Sequence, residues 1–112
     1  MTRLLWVYVT ARDRPEALRI ARKVVGERLA ACANVFPVRS CYWWEGELEE
    51  GSEVAIVLKT RAALLDGLVS RIKQLHSYKV PCVVALPIAG GNPDFLRWVA
   101  EETSTRRPRR SR

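Results

Sequence analysis

His76 is the one histidine of this chain, and Cys32, Cys41 and Cys82 are its thiols, so these four residues are the candidates for metal or nucleophile chemistry. Cysteine catalysis requires a thiolate with a base partner. Cys82 follows His76 closely, but the apolar run around it predicts a buried, protonated thiol. Copper and zinc sites generally draw on two or three soft or imidazole donors. A metal at His76 would therefore need Cys82 or donors from another subunit.

A second candidate is the stretch Tyr42, Trp43, Trp44, Glu45, in which three large rings precede an acidic turn. Alternation along a strand predicts that Tyr42 and Trp44 lie on one face of a sheet and Trp43 on the other. Helices covering a single face would leave one set of rings exposed. We therefore expect another copy of the chain to cover it.

Motifs for other chemistries are missing from the sequence. There is no glycine-rich phosphate loop of the GxGxxG or GxxxxGK[ST] type, and no GxSxG nucleophile elbow. The run Glu53–Thr60 (EVAIVLKT) lacks the basic and aromatic pattern of an RNA-recognition strand. The sequence thus predicts a protein without enzymatic activity.

Length and composition predict one soluble domain. The chain has 112 residues, with 48% hydrophobic and 28% charged side chains, which is ordinary for a globular protein. No apolar run reaches the roughly 18 to 20 residues of a membrane span, and the N-terminal residues lack a signal-peptide pattern. We expect a cytoplasmic protein with reduced thiols.

The formal net charge of +7 is concentrated at the C-terminal end. Five of the 19 basic residues lie at 106–112, so residues 1–105 carry 14 basic and 12 acidic side chains. We predict a folded domain at 1–103 and a flexible arginine-rich tail at 104–112. Nucleic acid binding is not favoured, and its remaining route is this tail.

Periodicity predicts the elements that position these residues. The expected order is β-α-β-β-α-β with a short C-terminal helix, which is the ferredoxin-like topology of the α+β class. Pro37 cannot donate to a ladder, so it predicts that the second strand is an edge strand, is bulged at that point, or both. The predicted elements are a strand at Leu4–Thr10, a helix capped by Asp13 with Leu18, Ala21, Val25 and Leu29 facing the sheet, a strand from Cys32, a hairpin tip at Glu47–Ser52, a strand at Glu53–Thr60, a helix at Ala62–His76, a strand at Val80–Ile88 buried on both faces, and a helix at Pro93–Glu102.

Six runs of the sequence closely resemble the CutA family of divalent-cation tolerance proteins. The resemblance covers about residues 4 to 100 in order and spacing. It rests on ERLAACAN at 27–34, YWWEG at 42–46, EVAIVLKT at 53–60, LHSYKVP at 75–81, ALPI at 85–88 and GNPDFLRW at 91–98.

The resemblance implies a homotrimer of ferredoxin-like subunits in which the second and third strands pair between subunits. It further implies tolerance to copper and other divalent cations, copper binding in some members, and no established catalytic activity. Similarity of the fold to PII-type signalling proteins implies the alternative of small-ligand sensing. A third hypothesis is RNA binding through the tail.

Carrying the family's copper site over to this chain leaves His76 alone. Val9 stands where copper-binding members have a cysteine, Leu75 replaces the first histidine of a pair, and Cys82 replaces a glutamate. Whether Cys82 restores a donor is left open. The resemblance also implies a pocket between subunits for a small ligand or metal ion, lined by Trp43, Glu45, Lys59, His76 and Tyr78. The structural alternative is an ion pair between Glu45 and Lys59 with the rings filling an interface.

Overall fold

The computed structural model describes residues 2–104. Met1 and residues 105–112 lie outside the described part, and with them nearly all of the predicted arginine-rich tail at 104–112. Within the described residues, the elements follow one another in the order β1 Leu4–Ala11, α1 Arg14–Gly26, β2 Cys32–Trp44, β3 Glu47–Arg61, a 3-10 turn Ala62–Leu64, α2 Leu65–Leu75, β4 Val83–Pro87 and α3 Pro93–Glu102.

The four strands form one antiparallel sheet in the order β2-β3-β1-β4. β1 is central although it comes first in the chain, and β2 and β4 are the two edges. The predicted ferredoxin-like α+β fold is therefore confirmed, as is the edge position that Pro37 indicated for β2. None of the helices in residues 2–104 is long and apolar enough to cross a membrane.

Helices α1 and α2 cover one face of the sheet, which we call the helix face, and leave the other, the open face, without them. Odd-numbered residues of β1 point to the helix face and are fully or nearly buried. Ile20 of α1 and Leu68 and Ile72 of α2 pack against them with no exposed surface. Burying such side chains contributes roughly 1.5–3 kcal/mol each.

The inward side of α1 differs from the predicted one by about one residue. Ala17, Ile20, Ala21 and Val24 are the buried apolar residues of the helix, whereas the predicted stripe was centred on Leu18 and Val25, which are half-buried. The capping signal was correct, because the Asp13 carboxylate accepts the Glu16 N–H at 3.0 Å. The buried side of α1 also includes Glu16. A pattern of hydrophobic residues does not count a glutamate as buried, so it placed the inward side of the helix about one residue too far along.

The β2–β3 ribbon is longer than predicted. Its turn consists of Glu45 and Gly46, with φ of 50° and 82°, and Trp44 pairs directly with Glu47. The expected tip at Glu47–Ser52 is therefore strand. Two consecutive positive φ angles define a two-residue turn that matches the twist of the strands. Pairing between β2 and β3 therefore continues up to the turn.

The prediction that the last strand is buried on both faces was wrong. β4 spans Val83–Pro87, and Val84 and Leu86 are 53% and 51% exposed within the subunit. The reason is the position of β4 at the sheet edge, where the helices reach one face alone. An apolar run on both sides of a strand normally means cover on both sides, whereas within the subunit β4 is covered on one side alone.

Helix α3 is fastened at the end of the sheet where β1 begins and β3 ends. Asn92 caps its N-terminus by accepting the Asp94 N–H. At its other end Arg61 donates to the Thr103 carbonyl oxygen at 2.5 Å, and Arg28 donates to Glu102 at 2.8 Å. These bonds hold the C-terminal end of α3 beside Arg61, which pairs with Leu4 at the end of the sheet opposite to Thr10.

Candidate functional site

His76 lies directly after α2 with its side chain fully buried. Its Nε2 is 2.7 Å from the Thr10 carbonyl oxygen at the end of β1. Its Nδ1 accepts the backbone N–H of Tyr78 at 3.0 Å. A carbonyl oxygen requires a donor and an N–H requires an acceptor, so these partners define a neutral imidazole with the proton on Nε2. Both ring nitrogens are therefore committed to the backbone.

Glu16 is the second buried member of this cluster, although it stands in the first turn of α1. Its carboxylate accepts the Arg12 N–H at 2.9 Å and the Ser77 N–H at 2.8 Å, and it lies 4.0 Å from Nδ1 of His76. Burial opposes ionisation, but the hydrogen bonds from Ser77 and Arg12 outweigh it and lower the pKa of Glu16. A buried carboxylate thus holds the 76–78 segment against α1.

This anchored segment places Tyr78 over the open face. The Tyr78 hydroxyl donates to the Glu53 carboxylate at 2.7 Å, and its ring lies 4.7 Å from the His76 ring between centroids. Burial, followed by the hydrogen bond to Glu53, raises the pKa of Tyr78 far above its ordinary value. Tyr78 is therefore a neutral donor that fixes the Glu53 carboxylate.

A cavity of about 720 Å³ opens beside Tyr78 between the part of the ribbon that leads to the Glu45–Gly46 turn and the segment leading to β4. Its volume falls in the range of small-molecule sites. Four aromatic rings line it, together with cationic, thiol and carboxylate side chains. The residues that carry these groups are Tyr8, Tyr42, Trp44, Tyr78, Glu53, Arg39, Lys79 and Cys82.

Three of the residues predicted for a pocket lie elsewhere in the subunit. Trp43 is 73% exposed and faces away from Tyr42 and Trp44, as alternation predicted. Glu45 is in the turn, and Lys59 pairs with Cys32 at the far end of the ribbon, where its ammonium donates to Asn34. Glu45 and Lys59 are too far apart to form an ion pair within one subunit. Trp43, Glu45 and Lys59 could line one pocket only if they came from different subunits. That pocket between subunits stays a prediction.

The residues present in one subunit do not fit a copper or zinc site. His76 could bind a metal only by giving up the Thr10 or the Tyr78 hydrogen bond. Burial raises the pKa of the Cys82 thiol, against the opposing effect of a hydrogen bond with Thr10, so it stays protonated at neutral pH. Within residues 2–104, no three histidine, cysteine or acidic side chains form a group able to hold a metal ion.

Sequence reasoning brought His76, Tyr78 and Cys82 to this end of the sheet but missed Glu16, Tyr8 and Glu53 as their companions. The parity of β1 and β3 could have placed Tyr8 and Glu53 on the open face. Nothing in the sequence indicated that Glu16 is part of the site, because its position three residues after Asp13 was already explained by helix capping. Its contact with Ser77 spans 61 residues of sequence.

Fold and site together define a class: a ferredoxin-like subunit with one covered and one open sheet face and a ligand-sized cavity at the end of β1. The sequence profile of the CutA1 divalent ion tolerance proteins matches residues 5–102. This chain belongs to the CutA family of divalent-cation tolerance proteins.

Individual relatives agree with this assignment. The divalent-cation tolerance protein CutA of Archaeoglobus fulgidus is 42% identical over 96 residues, covering 86% of this chain and 94% of its own. The crystal structure of CutA1 from Oryza sativa has a TM-score of 0.89 at 41% identity, covering 93% of this chain and 96% of its own. Cut A1 of Thermus thermophilus has a TM-score of 0.86 at 42% identity, with 93% and 100% covered.

Proposed function

We propose that this protein serves divalent-cation tolerance as a non-enzymatic, homotrimeric ligand-binding module, and that the cavity beside Tyr78 is its ligand site. The observation that carries the proposal is a cavity of about 720 Å³ whose wall is held in place by buried groups. Tyr78 is fixed through its N–H by His76 and through its hydroxyl by Glu53. A preformed wall lowers the entropic cost of binding.

The protonation states support binding in place of catalysis. The imidazole of His76 donates to one backbone group and accepts from another, so it has no nitrogen available to take a proton from a substrate. The Cys82 thiol is kept protonated by burial and is a poor nucleophile in that state. Neither member of a Cys–His pair is therefore prepared for its role.

The exposed apolar surface of the subunit supports the homotrimer. Val84 and Leu86 of β4, Trp6 of β1 and Phe36 of β2 all lie on the open face and are 40–53% exposed. A soluble protein rarely leaves such a patch uncovered. Two unpaired sheet edges, β2 and β4, offer the backbone groups for joining neighbouring copies.

Of the copper and small-ligand hypotheses from the sequence, these contacts favour the small-ligand module over copper bound by His76. A thermal-shift screen of the full chain against divalent metal ions, nucleotides and small amines tests this. A ligand at 100 times its dissociation constant stabilises by about 2.7 kcal/mol, which corresponds to a melting shift of several degrees.

The screen is repeated on Trp44→Leu and on Trp43→Leu, which alter neighbouring rings on opposite faces of the ribbon. We expect the stabilisation to be lost in the Trp44 variant and retained in the Trp43 variant. A shift that survives Trp44→Leu, or no shift with any compound class, contradicts the proposal.

Copper binding by His76 with Cys82 is the second candidate function. It is favoured by one observation, that both side chains interact with Thr10 and so approach the same point at the end of β1. Titration with Cu²⁺, comparing the full chain with His76→Ala and Cys82→Ser, decides it. Binding that persists in His76→Ala excludes this site, whereas loss in His76→Ala with a folded protein favours it.

A cytoplasmic location is part of the proposal and is supported by three cysteines that are free in the subunit, Cys32, Cys41 and Cys82. Unpaired thiols persist in reducing compartments. Fractionation of cells, with thiol alkylation in place, would test it, since recovery with an oxidising compartment would contradict the location.

A further inference from the structure

The aromatic lining of the cavity is concentrated on one face of the sheet. Tyr8 is on the open face of β1, and Tyr42 and Trp44 are on the same face of β2, because their register partners are Val57, Glu49 and Glu47. Tyr78 closes the group from the segment before β4. Four rings therefore border one cavity, and ring faces carry negative electrostatic potential.

Carboxylates accompany these rings on the same face. Glu53 lies in the cavity lining and is oriented by the Tyr78 hydroxyl at 2.7 Å. On the ribbon, Glu49 is directly opposite Tyr42 and Glu47 is directly opposite Trp44. Directly opposed residues of an antiparallel pair have neighbouring side chains. Rings and negative charge thus alternate along the cavity and its rim.

The basic residues of the lining do not cancel this charge. The Arg39 guanidinium donates to Ser52 and lies 3.9 Å from Glu50. The strand register places Arg39, Ser52 and Glu50 on the same side of the ribbon as the helix face. The Arg39 guanidinium therefore contacts groups on the side opposite to the rings. Lys59 is also on the open face, but it lies opposite Trp6 at the far end of the ribbon and donates to Asn34. Near the cavity, Lys79 is then one cation against Glu53 of the lining and the two ribbon carboxylates Glu47 and Glu49.

From this juxtaposition we infer that the cavity binds an organic ammonium ion, with the charged nitrogen against the rings and Glu53 and the carbon groups in the remaining apolar space. A cation over aromatic faces is attracted by their quadrupoles, most strongly by tryptophan. A bare divalent metal is a poor fit, because the described residues provide no group of three metal-binding side chains. The inference rests on the proposed function, since it names the ligand class of the same site.

The test compares butylammonium with 1-butanol, which has nearly the same shape without the charge, on the full chain at pH 7. The indole N–H signals of the four tryptophans in a proton–nitrogen NMR spectrum report where each probe binds. We expect butylammonium to shift the Trp44 signal and leave Trp43 unchanged, with 1-butanol binding about tenfold more weakly or worse. Tetramethylammonium, tested in parallel, distinguishes a quaternary from a primary ammonium source.

Variants provide the second arm of the experiment. Glu53→Gln keeps the shape of the cavity and removes its charge, so butylammonium should bind several-fold more weakly while 1-butanol is unaffected. Trp43→Leu is the matched control and should change neither probe. Equal affinity for the amine and the alcohol, or amine binding unaltered by Glu53→Gln, overturns the ammonium assignment.

The outcomes separate this inference from the proposed function. If a nucleotide or another compound class stabilises the wild type and loses that effect in Trp44→Leu, while neither ammonium probe shifts Trp44, the cavity is a ligand site for different chemistry and the inference falls alone. If no compound stabilises the protein and no probe shifts Trp44, both fail.

Discussion

Glu16 shows how one residue can serve two levels of the structure. As a first-turn residue it exchanges hydrogen bonds with residues 12–13, which precede α1, and as a buried acceptor it also binds Ser77 far along the chain. The local role follows from the sequence alone, because Asp13 and Glu16 have the spacing of a capping box. The second role does not, since nothing in the spacing of charges indicates that residue 77 returns to this helix.

Replacing Glu16 by Gln should lower the free energy of unfolding at pH 7 by about 1–3 kcal/mol, because a buried N–H loses its charged acceptor. Urea denaturation measures the loss. Glu27→Gln is the control, since that carboxylate pairs with Arg71 at the surface and should matter little. Equal losses for the two variants would contradict the anchoring role of Glu16.

The same variant changes the response to acid. The pKa of Glu16 is lowered in the folded protein, so its ionisation stabilises the fold above the ordinary glutamate pKa of about 4.3. This contribution is lost as pH falls through the folded value. We expect wild-type stability to decline more steeply below pH 4.3 than that of Glu16→Gln, as followed by urea denaturation at a series of pH values.

At the scale of elements, the ribbon of β2 and β3 is the part that sequence reasoning described least accurately. Its aromatic alternation was predicted correctly, because side-chain direction in a strand depends on parity alone. Its length was not, since a cluster of glutamates with Gly51 and Ser52 has the composition of a loop. The actual turn is at Glu45–Gly46, because the two positive φ angles there allow the strands to pair as far as the turn. The glutamate cluster is therefore part of β3.

Gly46 should be the sensitive glycine of the ribbon. Gly46→Ala places a side chain at φ of 82° and should reduce the free energy of unfolding by about 1–2 kcal/mol. Gly51→Ala is the matched control, because Gly51 lies in strand, has no positive φ and has open space around its Cβ position. Thermal melting of both variants tests the difference, and similar melting temperatures would contradict the turn assignment.

At the scale of the whole molecule, the topology was predictable and the boundaries of burial were not. Six elements in a recognisable order restrict the fold to a handful of arrangements, of which the ferredoxin-like one is observed. Burial of β4, however, depends on what covers the open face, and Val84 and Leu86 are half exposed in the subunit. The apolar sequence of β4 is explained if copies of the chain provide that cover.

Leu86→Arg should therefore break the proposed trimer, because a guanidinium group would be buried in the subunit interface without a partner. Sedimentation equilibrium should give three times the chain mass of 12.7 kDa for the wild type and a smaller mass for the variant. Gln74→Arg, at an exposed position of α2, is the control and should leave the mass unchanged. A wild-type protein that sediments as a single chain would contradict the trimer.

The central place of β1 has a consequence for biosynthesis. The first strand to leave the ribosome pairs with β3 and β4, so Leu4–Ala11 has no sheet partner until Val54, the partner of Ala11, has been made. That interval is about 40 residues, or roughly 2–9 seconds at ordinary rates of translation. During this interval β1, one of the most apolar segments of the nascent chain, is without its native neighbours. A chaperone that binds extended apolar peptides could bind β1 during that time.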